Sequence, residues 1–253
     1  MNILLTNDDG IMANGLRAMY AALRAAGHTV RVVAPVRQQS GVGHSLTVFE
    51  PVRAMEYNEP DFCGTGIYGT PTDCVKLALG NLLPCKPDLV ISGINAGPNV
   101  GPDILYSGTV AAATEAAHEN LPSIAVSYDG YNSTVEEVLP QANHLAHLAE
   151  RLDWSQLRPR RVINVNYPKC PLAEVKGLRV CPQTSAVWLN SYSQRQDPRG
   201  APYWWLEGEI PPESIEHDSD KDLLNKGYIT ITPLRFDFTD AEGLRTLQSL
   251  AAG

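Results

Sequence analysis

Positive charge is scarce in this chain. Twenty Lys and Arg stand against 28 Asp and Glu, a formal net charge of −8, and no extended basic block offsets it. A duplex nucleic-acid binder carries a basic stripe, so duplex binding is not expected. A small anionic substrate stays compatible, because a metal ion or helix N-termini supply positive potential locally. Long apolar runs are missing too. No stretch approaches the roughly 18 residues needed to cross a bilayer, and no basic segment leads into an apolar one at the N-terminus. The expectation is a cytoplasmic protein without membrane contact. There are five cysteines, Cys63, Cys74, Cys85, Cys170 and Cys181. The count is odd and no pair has C-x-x-C spacing, which argues against a zinc or redox pair and for reduced thiols. Asn-Ser-Thr at 132–134 matches a glycosylation acceptor, but nothing in the chain signals secretion.

Several catalytic signatures are absent as well. There is no G-x-x-x-x-G-K-[ST] loop and no G-x-S-x-G elbow, which counts against a P-loop NTPase and an α/β-hydrolase. GTGIYG at 64–69 satisfies G-x-G-x-x-G literally, yet it does not follow the first strand and open its helix. Asp8 lacks the D-x-D spacing of aspartyl-phosphate phosphatases. His144 and His147 lack a companion carboxylate motif and read as surface residues.

What is present alternates. NILLT (2–6) is a buried strand by composition, and NGLRAMYAALRAAG carries Leu16, Met19, Tyr20 and Leu23 at helical spacing. HTVRVVAP (28–35) is the second strand, and the β-α-β unit implies a parallel pair with a right-handed crossover. SLTVFEPVRAMEYN and DFCGTGIYGT read as strands or hairpin arms, and residues 70–83 as a helix. PDLVISG, PSIAVSY and RRVINVNYP are further strands; SGTVAAATEAAHEN and EEVLPQANHLAHLAERL are helices, with Pro140 near a start or a kink. The rhythm predicts an α/β fold: a Rossmann-like, mostly parallel sheet flanked by helices. At 253 residues the chain suits one large domain, or a domain with an appendage. After about Pro182 the rhythm breaks. Residues 1–183 are expected as the catalytic core and 184–253 as a C-terminal extension with a hairpin and a closing helix, Thr239 and Glu242 forming its capping box. Tyr203, Trp204 and Trp205 suit a subunit contact or packing on their own core.

Ligands of a parallel sheet bind beyond the carboxyl ends of its strands. Those ends are followed by Asn7, Asp8 and Asp9; by a glycine-flanked loop with Ser40; by GINAGPNVG with Asn95 and Asn99; and by Asp129. Adjacent carboxylates repel. Together with a hydroxyl and an amide oxygen they form an all-oxygen set of the kind Mg²⁺, Mn²⁺ or Ca²⁺ prefers. Taken alone, Asn-Asp-Asp-Gly is good turn chemistry; the convergence of four loops favours a metal. Ser107, Gly108 and Thr109 stand where a loop enters an Ala-rich helix, so they form either a phosphate cradle or a plain N-cap.

ILLTNDDG, SGVGHSLT, GTPTDCV, the block from Ser92 to Ala117, IAVSYDG, RQDPRG and GYITITPL run in the order of a known family. The sequence resembles the SurE family, the stationary-phase survival proteins, which are metal-dependent 5'/3'-nucleotidases. The resemblance implies hydrolysis of nucleoside 5'- and 3'-monophosphates, with short polyphosphate a further candidate substrate. It implies one divalent metal ion per subunit, Mg²⁺ or Mn²⁺, held by Asp8, Asp9, Ser40 and Asn95. Asn99, Ser107, Gly108 and Thr109 would line the phosphate side. The C-terminal extension would be exchanged between subunits in a homodimer or homotetramer. Asn14, Ala116 and Asn120 depart from the family pattern, and none of them replaces an implied ligand. Asp8 and Asp9 would both serve as ligands, or one of them, Asp8 before Asp9, would instead act as base or nucleophile; the sequence leaves this open. A nucleotide-binding module without turnover, or a scaffold working through the aromatic extension, are the competing classes.

Overall fold

A computed structural model describes residues 1–157 and 159–251. Strand β1 (Asn2–Thr6) leads through α1 (Asn14–Ala25) into β2 (Thr29–Pro35), and the hairpin β3 (Arg53–Glu59) and β4 (Phe62–Tyr68) follows. Helix α2 (Pro71–Leu77) leads to β5 (Leu89–Ala96). Then come α3 (Gly108–His118), β6 (Ser123–Tyr128), α4 (Val135–Arg151) and β7 (Arg161–Tyr167). The sheet order is β3-β4-β2-β1-β5-β6-β7, continued by β11 (Ile229–Arg235) and β8 (Leu178–Val180). All pairings from β4 to β7 are parallel; β3 and β11 enter antiparallel to β4 and β7. The expected mostly parallel α/β sheet is what the chain forms.

The central strands are apolar throughout because helices cover both faces. Ile3 and Leu5 pack toward α1 and α4, whereas Leu4, between them, joins Val75 of α2 and Ala112 and Ala116 of α3 on the other face. Alternation along a strand therefore assigns each residue to one of two cores. Helix α1 buries Leu16, Met19, Tyr20 and Leu23, the stripe its spacing predicts. Helix α3 is buried from Gly108 to Ala117. Its alanines let it lie close to the sheet, and a leucine at Ala112 would have no room. Pro140 sits inside α4, early enough that most of the helix follows it.

Three expectations need correcting. Residues 45–52 are not a strand: Pro51 lacks an N–H, and Thr47 gives its amide to a side chain, Asp73 Oδ1 at 3.0 Å. The helix expected over 70–83 ends at Leu77 and continues as a wider turn over 78–82. Helix α6 (Ala241–Ala251) is capped by Asp240, whose Oδ1 accepts the Glu242 amide at 3.0 Å, not by a box on Thr239.

Residues 184–253 divide in space. Strands β9 (Leu189–Gln196) and β10 (Pro202–Glu209) pair only with each other, whereas β11 returns into the main sheet between β7 and β8. Between hairpin and β11, α5 (Asp220–Asn225) packs on β11. Trp204 and Trp205 are 54% and 58% exposed on the hairpin, so they do not fold back on this chain's core. Among the described residues no helix is long and apolar enough to cross a membrane.

Candidate active site

Because β1, β2, β5 and β6 are parallel, their carboxyl ends open on one edge. From β1 the chain first builds toward β2 and β4, then crosses to β5 on the other side. The crevice between β1 and β5 is therefore the point where strand order reverses, the usual place for a ligand in such a sheet.

The turn after β1 is clamped by Asn7. Its Nδ2 donates to the Gly10 carbonyl at 3.0 Å and its Oδ1 accepts the Gly10 amide at 3.2 Å. Gly10 takes φ +103°, which a side chain rarely tolerates. This clamp fixes Asp8 and Asp9. Asp8 is 6% exposed, and the Thr109 hydroxyl donates to its Oδ1. Asp9 accepts the Ala96 amide on Oδ2 at 2.9 Å and Gln38 Nε2 on Oδ1 at 3.3 Å. A register shift between Ser92 and Asn95 in the β5–β6 pairing brings Asn95 to this edge. The Asn95 Nδ2 donates to the Gly97 carbonyl at 2.8 Å, which leaves its oxygen as the end available to a cation.

Helix α3 starts directly against Asp8. A Cβ on Gly108 would lie 2.7 Å from Asp8 Cβ and 3.0 Å from its Oδ2, so the approach requires glycine. Ser107 is the N-cap, accepting the Val110 amide at 3.0 Å. Of the three residues read as a phosphate cradle, Ser107 thus caps the helix, Gly108 admits Asp8, and Thr109 bonds to it.

Ser40 lies exposed on a loop that begins after β2 and has no helix or strand until β3. Its neighbour Gln39 donates its amide to the Asp8 carbonyl at 2.7 Å, and the Gly43 amide donates to Tyr106 at 2.9 Å. Two buried carboxylates hold the rest. His44 Nε2 lies 2.8 Å from Glu115 Oε2 on α3, and the Thr47 hydroxyl donates to Asp73 Oδ2 at 2.5 Å. Asp73 also completes a capping box with Thr70 at the start of α2. Lys76 Nζ reaches the other Glu115 oxygen at 2.8 Å.

Asn99 is buried and turned inward. Its Nδ2 donates to Ser127 Oγ at 2.7 Å, its amide to Asn166 Oδ1 at 2.8 Å, and its carbonyl accepts Asn164 Nδ2 at 2.8 Å. It braces the loop ahead of α3. His144 is likewise half-buried, its Nδ1 2.8 Å from the Tyr167 hydroxyl, and does not stand on the surface as its sequence context suggested. Asn7, Gln38, His44 and Glu115 carry roles the motifs did not assign. Their only sequence signal is position: each follows a strand or lies within a matched segment.

Burial pushes the Asp8 carboxyl up to about 6, and the Asp9 charge adds to this against the Thr109 hydrogen bond. Burial also raises Asp9, opposed by the Ala96 amide and Gln38. Among the described residues neither carboxylate has a Lys, Arg or His ion-pair partner. A buried carboxylate next to a half-buried one, without a cation, is a costly arrangement. The donors around them suit a hard divalent ion. No group of three His, Cys, Asp or Glu that could hold a metal occurs among the described residues, so any such site here must draw on hydroxyl or amide oxygen.

The family model for Survival protein SurE matches residues 3–190. The chain belongs to the SurE family. A protein named 5'-nucleotidase SurE from Desulfovibrio desulfuricans is 73% identical over 253 residues, covering 99% of this chain and 98% of the relative. One of the same name from Cyanothece sp. is 42% identical, with 98% and 96% covered. The crystal structure of a SurE protein from Aquifex aeolicus matches with a TM-score of 0.83 at 37% identity, covering 99% of this chain and all of that one. The SurE match thus spans the crevice, the Ser40 loop and the start of α3 together.

Proposed function

We propose that this SurE protein is a metal-dependent phosphomonoesterase that hydrolyses nucleoside 5'-monophosphates, and 3'-monophosphates as well, to nucleoside and phosphate. The observation that carries the proposal is the adjacent pair of buried Asp8 and half-buried Asp9 at the switch-point crevice, with no cationic ion-pair partner among the described residues. The relatives' name, 5'-nucleotidase, points to the same substrate class.

Asp8, Asp9, Asn95 and Ser40 would hold one Mg²⁺ or Mn²⁺ per subunit. A divalent ion there supplies charge neutralisation at a phosphoryl oxygen and an acidified water. The residues of the chain do the rest. Gln38 and the Ala96 amide aim Asp9, while Thr109 and the Gly108 approach keep Asp8 against the N-terminus of α3. That terminus directs partial positive charge toward the crevice, where negative charge accumulates on the transferring group. Asp8 is the more enclosed of the two, with one oxygen engaged by Thr109. Asp9 lines an open cleft and is the better placed to meet a water or substrate. Asn99, Ser107, Gly108 and Thr109 would line the phosphate side, with Ser107 also capping α3 and Asn99 also bracing the loop ahead of it.

The exposed aromatic hairpin and the exposed leucines of α6 suit a homodimer or homotetramer formed through exchanged C-terminal elements. The scattered free thiols suit the cytoplasm.

The test is phosphate release from a panel of 5'- and 3'-monophosphates of all four bases, with inorganic tripolyphosphate alongside. Monophosphate turnover in Mg²⁺ or Mn²⁺ supports the assignment. Tight nucleotide binding without phosphate release in either metal would replace it with a binding module.

A further inference from the structure

Asp220 is fully buried and has no ion-pair partner among the described residues. It opens α5 in the C-terminal extension, yet one of its bonds leads out of the extension toward the crevice. Its Oδ2 accepts the Gly101 amide at 2.8 Å. Its Oδ1 accepts the amides of Thr184 at 2.9 Å and Lys221 at 2.8 Å. A buried carboxylate is costlier than an apolar side chain of similar size unless its hydrogen bonds are complete. Here three backbone amides complete them, and they join two distant segments of the chain.

Gly101 begins a short 3₁₀ turn, Gly101–Leu105, that leads into Ser107 and α3. The extension grips this turn at two more points. Gln183 Nε2 donates to the Gly101 carbonyl at 2.7 Å, and Trp188 Nε1 donates to Asp103 Oδ1 at 2.7 Å. The Asp103 carbonyl then accepts the amides of Tyr106 and Ser107, both at 3.1 Å. A connected set of bonds therefore runs from Asp220 through the turn to the N-cap of α3, and the next two residues, Gly108 and Thr109, meet Asp8.

We propose that Asp220 is a positioning residue for the reaction: from the C-terminal extension it fixes the Gly101–Leu105 turn, and through that turn the start of α3 that faces the transferring phosphate. The assignment rests on the phosphomonoesterase reading above. Donors that stabilise developing charge act only if they are held in place beforehand. A carboxylate is suited to that task, because its bonds to amides are about twice as strong as those between neutral groups. Asp9 and Asn95 take their own bonds from Ala96, Gln38 and Gly97, none of which passes through the turn. Asp220 therefore acts on turnover and not on metal binding.

The experiment measures kcat and KM for a nucleoside 5'-monophosphate and Mn²⁺ affinity by electron paramagnetic resonance, in three variants shown by thermal melts to be folded. Asp220→Asn keeps the size of the side chain but has one acceptor oxygen, so its NH₂ faces an amide donor. Trp188→Phe keeps a ring and removes only the donor to Asp103. Leu145→Ala empties a buried position on α4 and touches no part of the turn, which makes it the control for lost stability. The expected result is a fall in kcat of about tenfold in Asp220→Asn and about threefold in Trp188→Phe, with KM and Mn²⁺ affinity nearly unchanged. Leu145→Ala should keep kcat despite a lower melting temperature. If Asp220→Asn does not fold, Trp188→Phe alone decides. Unchanged kcat in the folded clamp variants, a loss that follows lost Mn²⁺, or an equal loss in Leu145→Ala overturns the positioning role and leaves the phosphomonoesterase standing. Failure of the metal-loaded wild type to hydrolyse any nucleoside monophosphate overturns the phosphomonoesterase reading, and the positioning role with it.

Discussion

His44 and Glu115 are 71 residues apart in sequence and 2.8 Å apart in space, imidazole Nε2 against carboxylate Oε2. The contact ties the loop that carries Ser40 to the helix that carries Thr109. That loop has no ladder or helix of its own before β3, so a few side-chain contacts fix its course. Replacing His44 by Ala should lower stability by roughly 1 kcal/mol, since the pair is partly exposed. It should weaken Mn²⁺ binding, read directly by electron paramagnetic resonance, by about tenfold. Lys76→Ala removes the other partner of Glu115 but frees no loop residue, and should leave Mn²⁺ binding unchanged. Equal losses in both variants would mean that Glu115 matters only for packing.

The same carboxylate predicts a pH dependence. Hydrogen bonds from His44 and then Lys76 hold Glu115 down at about 2, below the ordinary carboxylate range, despite its burial. A depressed folded-state value means the stabilisation is complete above the unfolded value and is lost as pH falls toward about 2. Between pH 5 and 3, about the upper part of that window, the wild-type melting temperature should therefore drop more steeply than that of Glu115→Gln. Parallel curves would show that Glu115 carries no such shift.

Gly108 is where packing and chemistry meet. A methyl group there would press on Asp8 at 2.7 Å, and Pro71 Cγ stands 3.0 Å away on another side. Gly108→Ala should cost about 1–3 kcal/mol by overpacking. Displacing Asp8 by a fraction of an ångström should lower kcat/KM more than the stability change suggests, by about a hundredfold. Calorimetry and steady-state kinetics on the same preparation separate the two effects. A melting shift with unaltered kinetics would take Asp8 out of the reacting centre.

The hairpin β9–β10 offers Trp204, Trp205 and Leu206 to solvent. If these residues form a subunit contact, Trp204→Lys with Trp205→Lys should shift the sedimenting species to a smaller one at micromolar concentration, with the main sheet intact by circular dichroism. An unchanged sedimentation coefficient would show that the hairpin is free in solution.

Much of this was legible in the chain. Continuous apolar runs such as NILLT and DLVIS name strands covered on both faces, and their parallel order alone puts Asp8, Asp9 and Asn95 on one edge. Less legible were the relations that depend on distant partners. Alternation in GYITITPL marks a strand but not its neighbours, so the return of β11 into the sheet beside β7 could not be read. A glycine opening a helix looks like a flexible entry, and only the fold shows Asp8 standing where its Cβ would be. Asn99 follows a strand as a site residue would, but its bracing bonds to Ser127, Asn164 and Asn166 have no local signal. Thr47 sits in a β-favouring run whose backbone is claimed by Asp73, a side-chain competition that propensity does not register.

The central claim is that Asp8 and Asp9 hold the cation that makes this site hydrolytic. The most direct measurement titrates chelator-stripped protein with Mn²⁺, following bound metal and phosphate release from a nucleoside 5'-monophosphate together, with Asp9→Asn in parallel. The account predicts one Mn²⁺ per subunit, turnover rising in step with occupancy, and loss of both in the variant. Full turnover in stripped protein, or wild-type metal binding and turnover in Asp9→Asn, would contradict it.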